Sequence, residues 1–225
     1  YNIIKSKDIL NLYIYGKEGT GKYSLGKYYI NKYINNDMSN NLNNEICEYE
    51  SKEILYKRGN FHYEIMINKY NFTDFNLIIK LLDRIVYKNL KINKFKNIIL
   101  IKNIHYVRLN IIKLLKTYIE KYYNCNIFIF ISSLNIPKEF KGIFTPIRIP
   151  IPNYDEFINL GKKILELENI KYKIVQLDYI YKISDNSLVK FKNIIELSYI
   201  NSYEKYKDVT DNKLKFLYKL IKKNN

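Results

Sequence analysis

The chain of 225 residues contains no alanine and no tryptophan, only four prolines and seven glycines, and two cysteines. Each shortage excludes something. Cys47 and Cys125 stand far apart and lack metal-ligand spacing, which argues against a disulfide framework or a zinc module and for free thiols in a reducing compartment. No apolar run reaches the roughly 18 residues that cross a bilayer, and no signal-peptide pattern opens the chain, so neither a membrane anchor nor secretion is expected. The chain begins at Tyr1, not at methionine, and reads as a piece of a longer product. His62 and His105 are isolated, with no Cys or carboxylate at ligand spacing; a structural or surface role is expected for both, and no metal site.

What is abundant is lysine, asparagine, isoleucine and tyrosine. The net charge is +16, which invites an anionic partner such as nucleic acid. Only four of the 38 basic residues are arginine, however. An AT-rich genome writes that bias through its codons, and solvated lysine surface explains most of it equally well. A hydrophobic fraction of 47% and this length suit one domain with an appendage, or two small ones.

The most informative segment is Gly16 to Tyr23, reading GKEGTGKY. A phosphate-binding P-loop asks for Gly, four residues, Gly-Lys, then Ser or Thr. Gly16, Gly21 and Lys22 fit, with Gly19 and Thr20 between them; Tyr23 stands where a small hydroxyl should hold Mg²⁺, and Ser24 follows. An apolar run, Leu10 to Tyr15, precedes the loop as a buried strand would. Ser24 to Asn35 predicts a helix, with Leu25, Tyr28, Tyr29 and Tyr33 toward a core. Strand, glycine-rich turn and helix start aim N–H groups at a phosphate chain, and Lys22 adds a point charge. The plain alternative is a glycine-rich turn that binds nothing.

Beyond the loop, Asn35 to Asn44 reads as a loop and Ile46 to Tyr49 as a strand. Ile54 to Tyr56 and His62 to Ile67 read as paired strands around a turn at residues 57–60. Thr73 precedes a helical run with Ile78, Leu81, Leu82 and Ile85 on one face. Asn97 to Ile101 and Ile127 to Ile131 are continuous apolar strands, separated by an amphipathic helix over Asn110 to Tyr122. Pro137 to Phe140 reads as a short helical turn and Ile147 to Ile149 as a last strand. Tyr154 to Leu167, Val175 to Ile183, Leu188 to Tyr199 and Lys213 to Lys222 read as helices. This order predicts an α/β fold: a parallel P-loop sheet flanked by helices over residues 1–152, then a small helical domain over 153–225.

The GTGK core, the segment YKRGNFHYEI at 56 to 65, and the run from Ile98 to Ser133 together resemble the AAA+ clamp loaders, specifically the small subunits of replication factor C. In the last run IILIKNIH, a helix ending Ile119-Glu120-Lys121-Tyr122, and NIFIFISS hold the family's register without a gap. Ile147 to Pro152 followed by Tyr154-Asp155-Glu156 is similar to the family's entry into its lid. The match covers most of the first 160 residues. The richness in asparagine, lysine and isoleucine looks like proteins of AT-rich giant viruses or protists.

The resemblance implies an AAA+ nucleotide-binding domain with a helical lid, ATP and Mg²⁺ as cofactors, and a place in the nucleus or a viral replication compartment. Its implied partners are other clamp-loader subunits, a sliding clamp and primer-template DNA. Arg108, Asn110, Lys113 and Lys116 match a neighbourhood that faces the duplex in clamp loaders; an ordinary solvated face is the alternative. The hydrolytic parts depart from the family. Tyr23 replaces the metal-holding hydroxyl, and the acidic pair falls on Lys102 and Asn103, with no replacement carboxylate evident at a strand end. The first sensor falls on Ser132 or Ser133, the Ser-Arg-Cys motif on Gly142-Ile143-Phe144, and the lid arginine near Val189, beside Lys190. The expectation is a subunit that binds ATP weakly or not at all and does not hydrolyse it. An active ATPase motor and a P-loop nucleotide sensor unrelated to replication stay open.

Overall fold

A computed structural model describes residues 10–33, 42–49, 52–59, 62–67, 75–89, 96–169 and 174–200. Thr73, residues 35–41 of the expected loop over 35–44 and the expected helix over Lys213 to Lys222 lie outside these residues; Asn43 and Asn44, expected at the end of that loop, are strand.

Seven strands form one sheet in the order β2-β3-β4-β5-β6-β1-β7. They are β1 (Leu12–Tyr15), β2 (Asn43–Tyr49), β3 (Lys52–Arg58), β4 (His62–Met66), β5 (Asn97–Lys102), β6 (Asn126–Ser132) and β7 (Thr145–Arg148). The five strands from β4 to β7 are parallel, and β2 and β3 extend the sheet as an antiparallel hairpin. The sequence NIFIFIS of β6 is buried at every residue, and NIILIK of β5 at all but its last. Such runs of β-branched and aromatic residues require cover on both faces.

Cover comes from three helices, α1 (Lys22–Tyr33), α2 (Phe75–Asn89) and α3 (Leu109–Tyr122). On one face Ile78, Leu81, Leu82 and Ile85 of α2 and Ile111, Leu115 and Ile119 of α3 join Tyr13, Ile99, Ile101, Phe128 and Phe130 in one apolar cluster. On the other, Tyr29 and Ile30 of α1 meet Leu12, Ile14, Ile98, Leu100, Ile127, Ile129 and Ile131. Helix α1 lies close against the sheet because of Gly26: a Cβ there would come within 3.1 Å of Leu100 Cδ1.

Several expected boundaries shift, among them the starts of β2 at Asn43 and β3 at Lys52, and two of the shifts have a local reason. Helix α1 begins at Lys22, directly after Gly21 (φ 87°), because the loop turns straight into the helix. Strand β7 begins at Thr145 and so contains Pro146. Proline lacks an N–H, but β7 is an edge strand paired only with β1, where no ladder partner is forfeited.

The chain divides into two compact units, residues 1–17 with 22–149, and residues 18–21 with 150–225. The second contains α4 (Tyr154–Leu167), α5 (Ile174–Ile183) and α6 (Leu188–Ile200). Asn153 starts α4 with a capping box: its side chain accepts from the Glu156 amide, and Glu156 accepts from the Asn153 amide. Phe157, Leu165, Leu177, Ile180, Phe191 and Ile195 form the core of this unit.

Candidate functional site

The P-loop leaves the carboxyl end of β1 and enters α1. Gly16 has φ 152°, and a Cβ at that position would lie 2.4 Å from the Ile149 carbonyl oxygen, so only glycine fits there. Gly19 and Gly21 also have positive φ, 77° and 87°. Thr20 and Lys22 are buried. The Lys22 ammonium reaches back over the loop, donating to the carbonyls of Gly16 (2.8 Å) and Lys17 (2.5 Å). The cation at the centre of the loop is therefore positioned by backbone carbonyls. Tyr23 and Ser24 occupy the first turn of α1, with Tyr23 partly exposed.

Around Tyr23 the sheet places a group of side chains that sequence reasoning did not assemble. Glu64, in β4, is buried, and its carboxylate accepts from the Tyr23 hydroxyl at 2.9 Å (Oε2) and 3.2 Å (Oε1). Lys27, one turn further along α1, donates to Oε1 at 3.1 Å. The Lys102 ammonium, at the end of β5, lies 3.3 Å from Oε2 and 3.4 Å from the centre of the Tyr23 ring. Lys102 thus pairs with a carboxylate and stacks on an aromatic face at once.

His62 completes the group from two residues before Glu64 on the same strand face. Its Nε2 is 3.5 Å from Glu64 Oε1 and 3.3 Å from Lys27 Nζ, while its Nδ1 has no hydrogen-bond partner among the described residues. A proton on Nε2 serves the carboxylate and leaves Nδ1 as a bare acceptor, which is cheaper to bury than an unmatched N–H.

The electrostatics follow from these contacts. Burial pushes the Glu64 carboxyl up, but the His62 hydrogen bond and the Lys102 and Lys27 ammoniums outweigh it and hold the group well below the ordinary carboxylate range. Burial, the hydrogen bond to Glu64 and its negative charge push the Tyr23 phenol up to about 12, so it stays protonated and donates. Burial pulls Lys102 down from its ordinary value, against the opposing pull of Glu64.

A carboxylate does stand near the position of the missing acidic pair, but it is no replacement at a strand end: Glu64 lies within β4 and is committed to Tyr23, Lys27 and Lys102. Its signal was the His-Tyr-Glu spacing at 62 to 64, which puts His62 and Glu64 on one face of a strand. Nothing in the sequence marked Lys27 as their partner. Asn103, the second position of the missing pair, has φ 61° and donates to the Ile67 carbonyl at 3.2 Å, tying the ends of β4 and β5 together.

Magnesium is a hard cation that needs oxygen ligands, supplied in P-loop enzymes by the loop hydroxyl and a strand-end acid. Here the hydroxyl belongs to Tyr23 and is committed to Glu64, and the strand end carries an ammonium. The residues present do not fit the metal. Among the described residues no group of three or more His, Cys, Asp or Glu side chains is placed to hold an ion.

At the end of β6, Ser132 is buried and its hydroxyl accepts from the Leu134 amide at 2.9 Å; the Ser133 amide donates to His105 Nδ1 at 3.3 Å. Of the candidate DNA contacts, Arg108 precedes the first turn of α3, and Asn110, Lys113 and Lys116 lie on its successive turns. Arg108, Asn110 and Lys113 are exposed, while Lys116 sits 3.8 Å from Glu120 as an i,i+4 pair. Asn110, Lys113 and Lys116 share one helix, with Arg108 at its N-cap.

No protein-family model matches the chain, and no curated protein matches its sequence. Solved structures do. The RuvB Holliday junction branch migration motor of Thermotoga maritima is similar over 92% of this chain at 11% identity, with a TM-score of 0.57. A single-residue variant of the same motor is similar over 83% at 12% identity, with a TM-score of 0.53. The chain spans 61% of the length of the first and 53% of the second. The likeness establishes the fold: a mostly parallel sheet flanked by helices, as expected. Among the described residues no helix is long and apolar enough to cross a membrane.

Proposed function

We propose that this chain is a non-hydrolysing subunit of an AAA+ assembly, of the clamp-loader small-subunit type. Its domains divide at about residue 152, and its P-loop, from Gly16 to Ser24, holds ATP weakly. It acts through contacts with sibling subunits, a sliding clamp and primer-template DNA in a replicating compartment, nuclear or viral. Hydrolysis comes from other subunits.

One observation carries the reading. Where hydrolysis needs a metal, a carboxylate to position water and a small hydroxyl, this chain has Lys102 and Tyr23 bound to Glu64. The intact glycine geometry of the loop supports retention of a phosphate cradle. Weak affinity is expected because a phosphate must compete with the Gly16 and Lys17 carbonyls for Lys22.

The test is binding of a fluorescent ATP analogue to the chain and to Lys22→Ala, together with phosphate release in Mg²⁺. Saturable binding lost in the variant, with release at background, is the expected result. Metal-dependent phosphate release would establish the active-motor reading instead. Tight nucleotide binding with no affinity for DNA or a clamp would favour a nucleotide sensor. For the DNA role, affinity for a primer-template duplex should fall steeply with salt, and Lys113→Ala should reduce that slope by about one.

A further inference from the structure

The Glu64 group has a charge imbalance. One carboxylate faces two ammoniums, Lys27 and Lys102, both partly shielded from water, so the group carries a net positive charge in the first turns of α1. Lys102 is held on two sides, by Glu64 at 3.3 Å and by the Tyr23 ring at 3.4 Å. Tyr23 immediately follows Lys22, the residue that caps the loop carbonyls. The position that a P-loop enzyme gives to a divalent metal is thus bordered by a fixed cation of the chain itself. A metal arriving there meets like charge and a phenol already committed as a donor.

We infer that Lys102 is a built-in cation replacing the divalent metal, so that the loop takes the triphosphate of a metal-free nucleotide. The inference rests on the reading that the P-loop holds nucleotide. It assigns each member of the group a task. Glu64 and the Tyr23 ring fix the ammonium in place, and Lys27 shares the carboxylate, which leaves part of the Lys102 charge available to phosphate. Such a cation needs no separate binding step, and binding through it does not depend on magnesium concentration.

Calorimetric titration of the full chain with ATP, once in EDTA and once in MgCl₂, tests this without any variant. The expected result is the same affinity in both buffers within error. Lys102→Met should weaken binding in EDTA by about tenfold, the loss of one charge-assisted contact, while Lys102→Arg retains it. Thermal melts of both variants show whether they are folded. Binding that requires Mg²⁺, or tightens tenfold or more with it, overturns the inference and leaves the nucleotide reading standing. Equal binding by wild type and folded Lys102→Met also overturns it. Absence of binding in both buffers overturns the inference and the nucleotide reading together.

Discussion

The two faces of β4 and β5 are built from the same short stretches of chain and serve opposite ends. Toward α2 and α3, the residues Tyr63, Ile65, Ile99 and Ile101 merge into an unbroken apolar cluster. Toward α1, Ile98 and Leu100 give way to buried His62 and Glu64 and half-buried Lys102, which form a polar group in place of packing. Residue alternation along each strand is the only thing separating them. The apolar face contributes stability without directional demands. The polar face is satisfied only if every partner is present, and it is the face that carries the P-loop helix. A buried carboxylate that keeps all its partners is about neutral in stability against a well-packed apolar residue, whereas one that loses them is costly.

The sharpest way to break the comparison is to delete one large group from each face. Phe130→Ala, on the apolar face, removes a fully buried ring packed against Phe144 at 4.5 Å and Phe140 at 5.3 Å. It should cost about 4 kcal/mol in chemical denaturation. Glu64→Gln should cost about 3 kcal/mol, because Lys27 and Lys102 lose their counter-charge. Converting the polar face to the apolar kind, with Glu64→Leu, Lys27→Met and Lys102→Met together, should return stability to within about 1 kcal/mol of wild type. A triple variant as unstable as Glu64→Gln would show that packing and not charge limits this face.

Acid separates the faces differently. The Glu64 carboxyl is lowered in the folded state, so its stabilisation is fully present above about pH 4.5, its ordinary value, and is lost as pH falls below that toward the depressed folded value. The stability difference between wild type and Glu64→Gln should therefore shrink below pH 4.5, by up to about 1.4 kcal/mol per pH unit. The deficit of Phe130→Ala should not change over the same range. The smallest effect is expected at the surface: Lys116→Ala loses an exposed pair with Glu120 and should change stability by no more than about 0.5 kcal/mol.

The fold was legible because its signals are local. The runs at 97–102 and 126–132 are too continuously apolar to be anything but buried strands, and the helix α4 begins and ends where its capping residues and apolar spacing place it. The loop was legible for the same reason, as a short motif between a strand and a helix. The Glu64 group was not. Tyr23 and Glu64 are 41 residues apart, and a lysine in place of an acid reads as a loss until its partner is known.

By itself, then, the sequence determined most of the segments that become strands and helices, that they build an α/β fold, and that a glycine-rich loop joins β1 to α1, since propensity, periodicity and turn chemistry act over a few residues. Only the tertiary structure decided what fills the place of the missing metal residues. Parallel pairing of β4 with β5 sets Glu64 opposite Leu100 and Met66 opposite Lys102, and α1 packs over that face with Tyr23 and Lys27 pointing to the carboxylate. Ion pairs of this kind depend on the register of one strand against another and on the height of a helix above them, which no local pattern records.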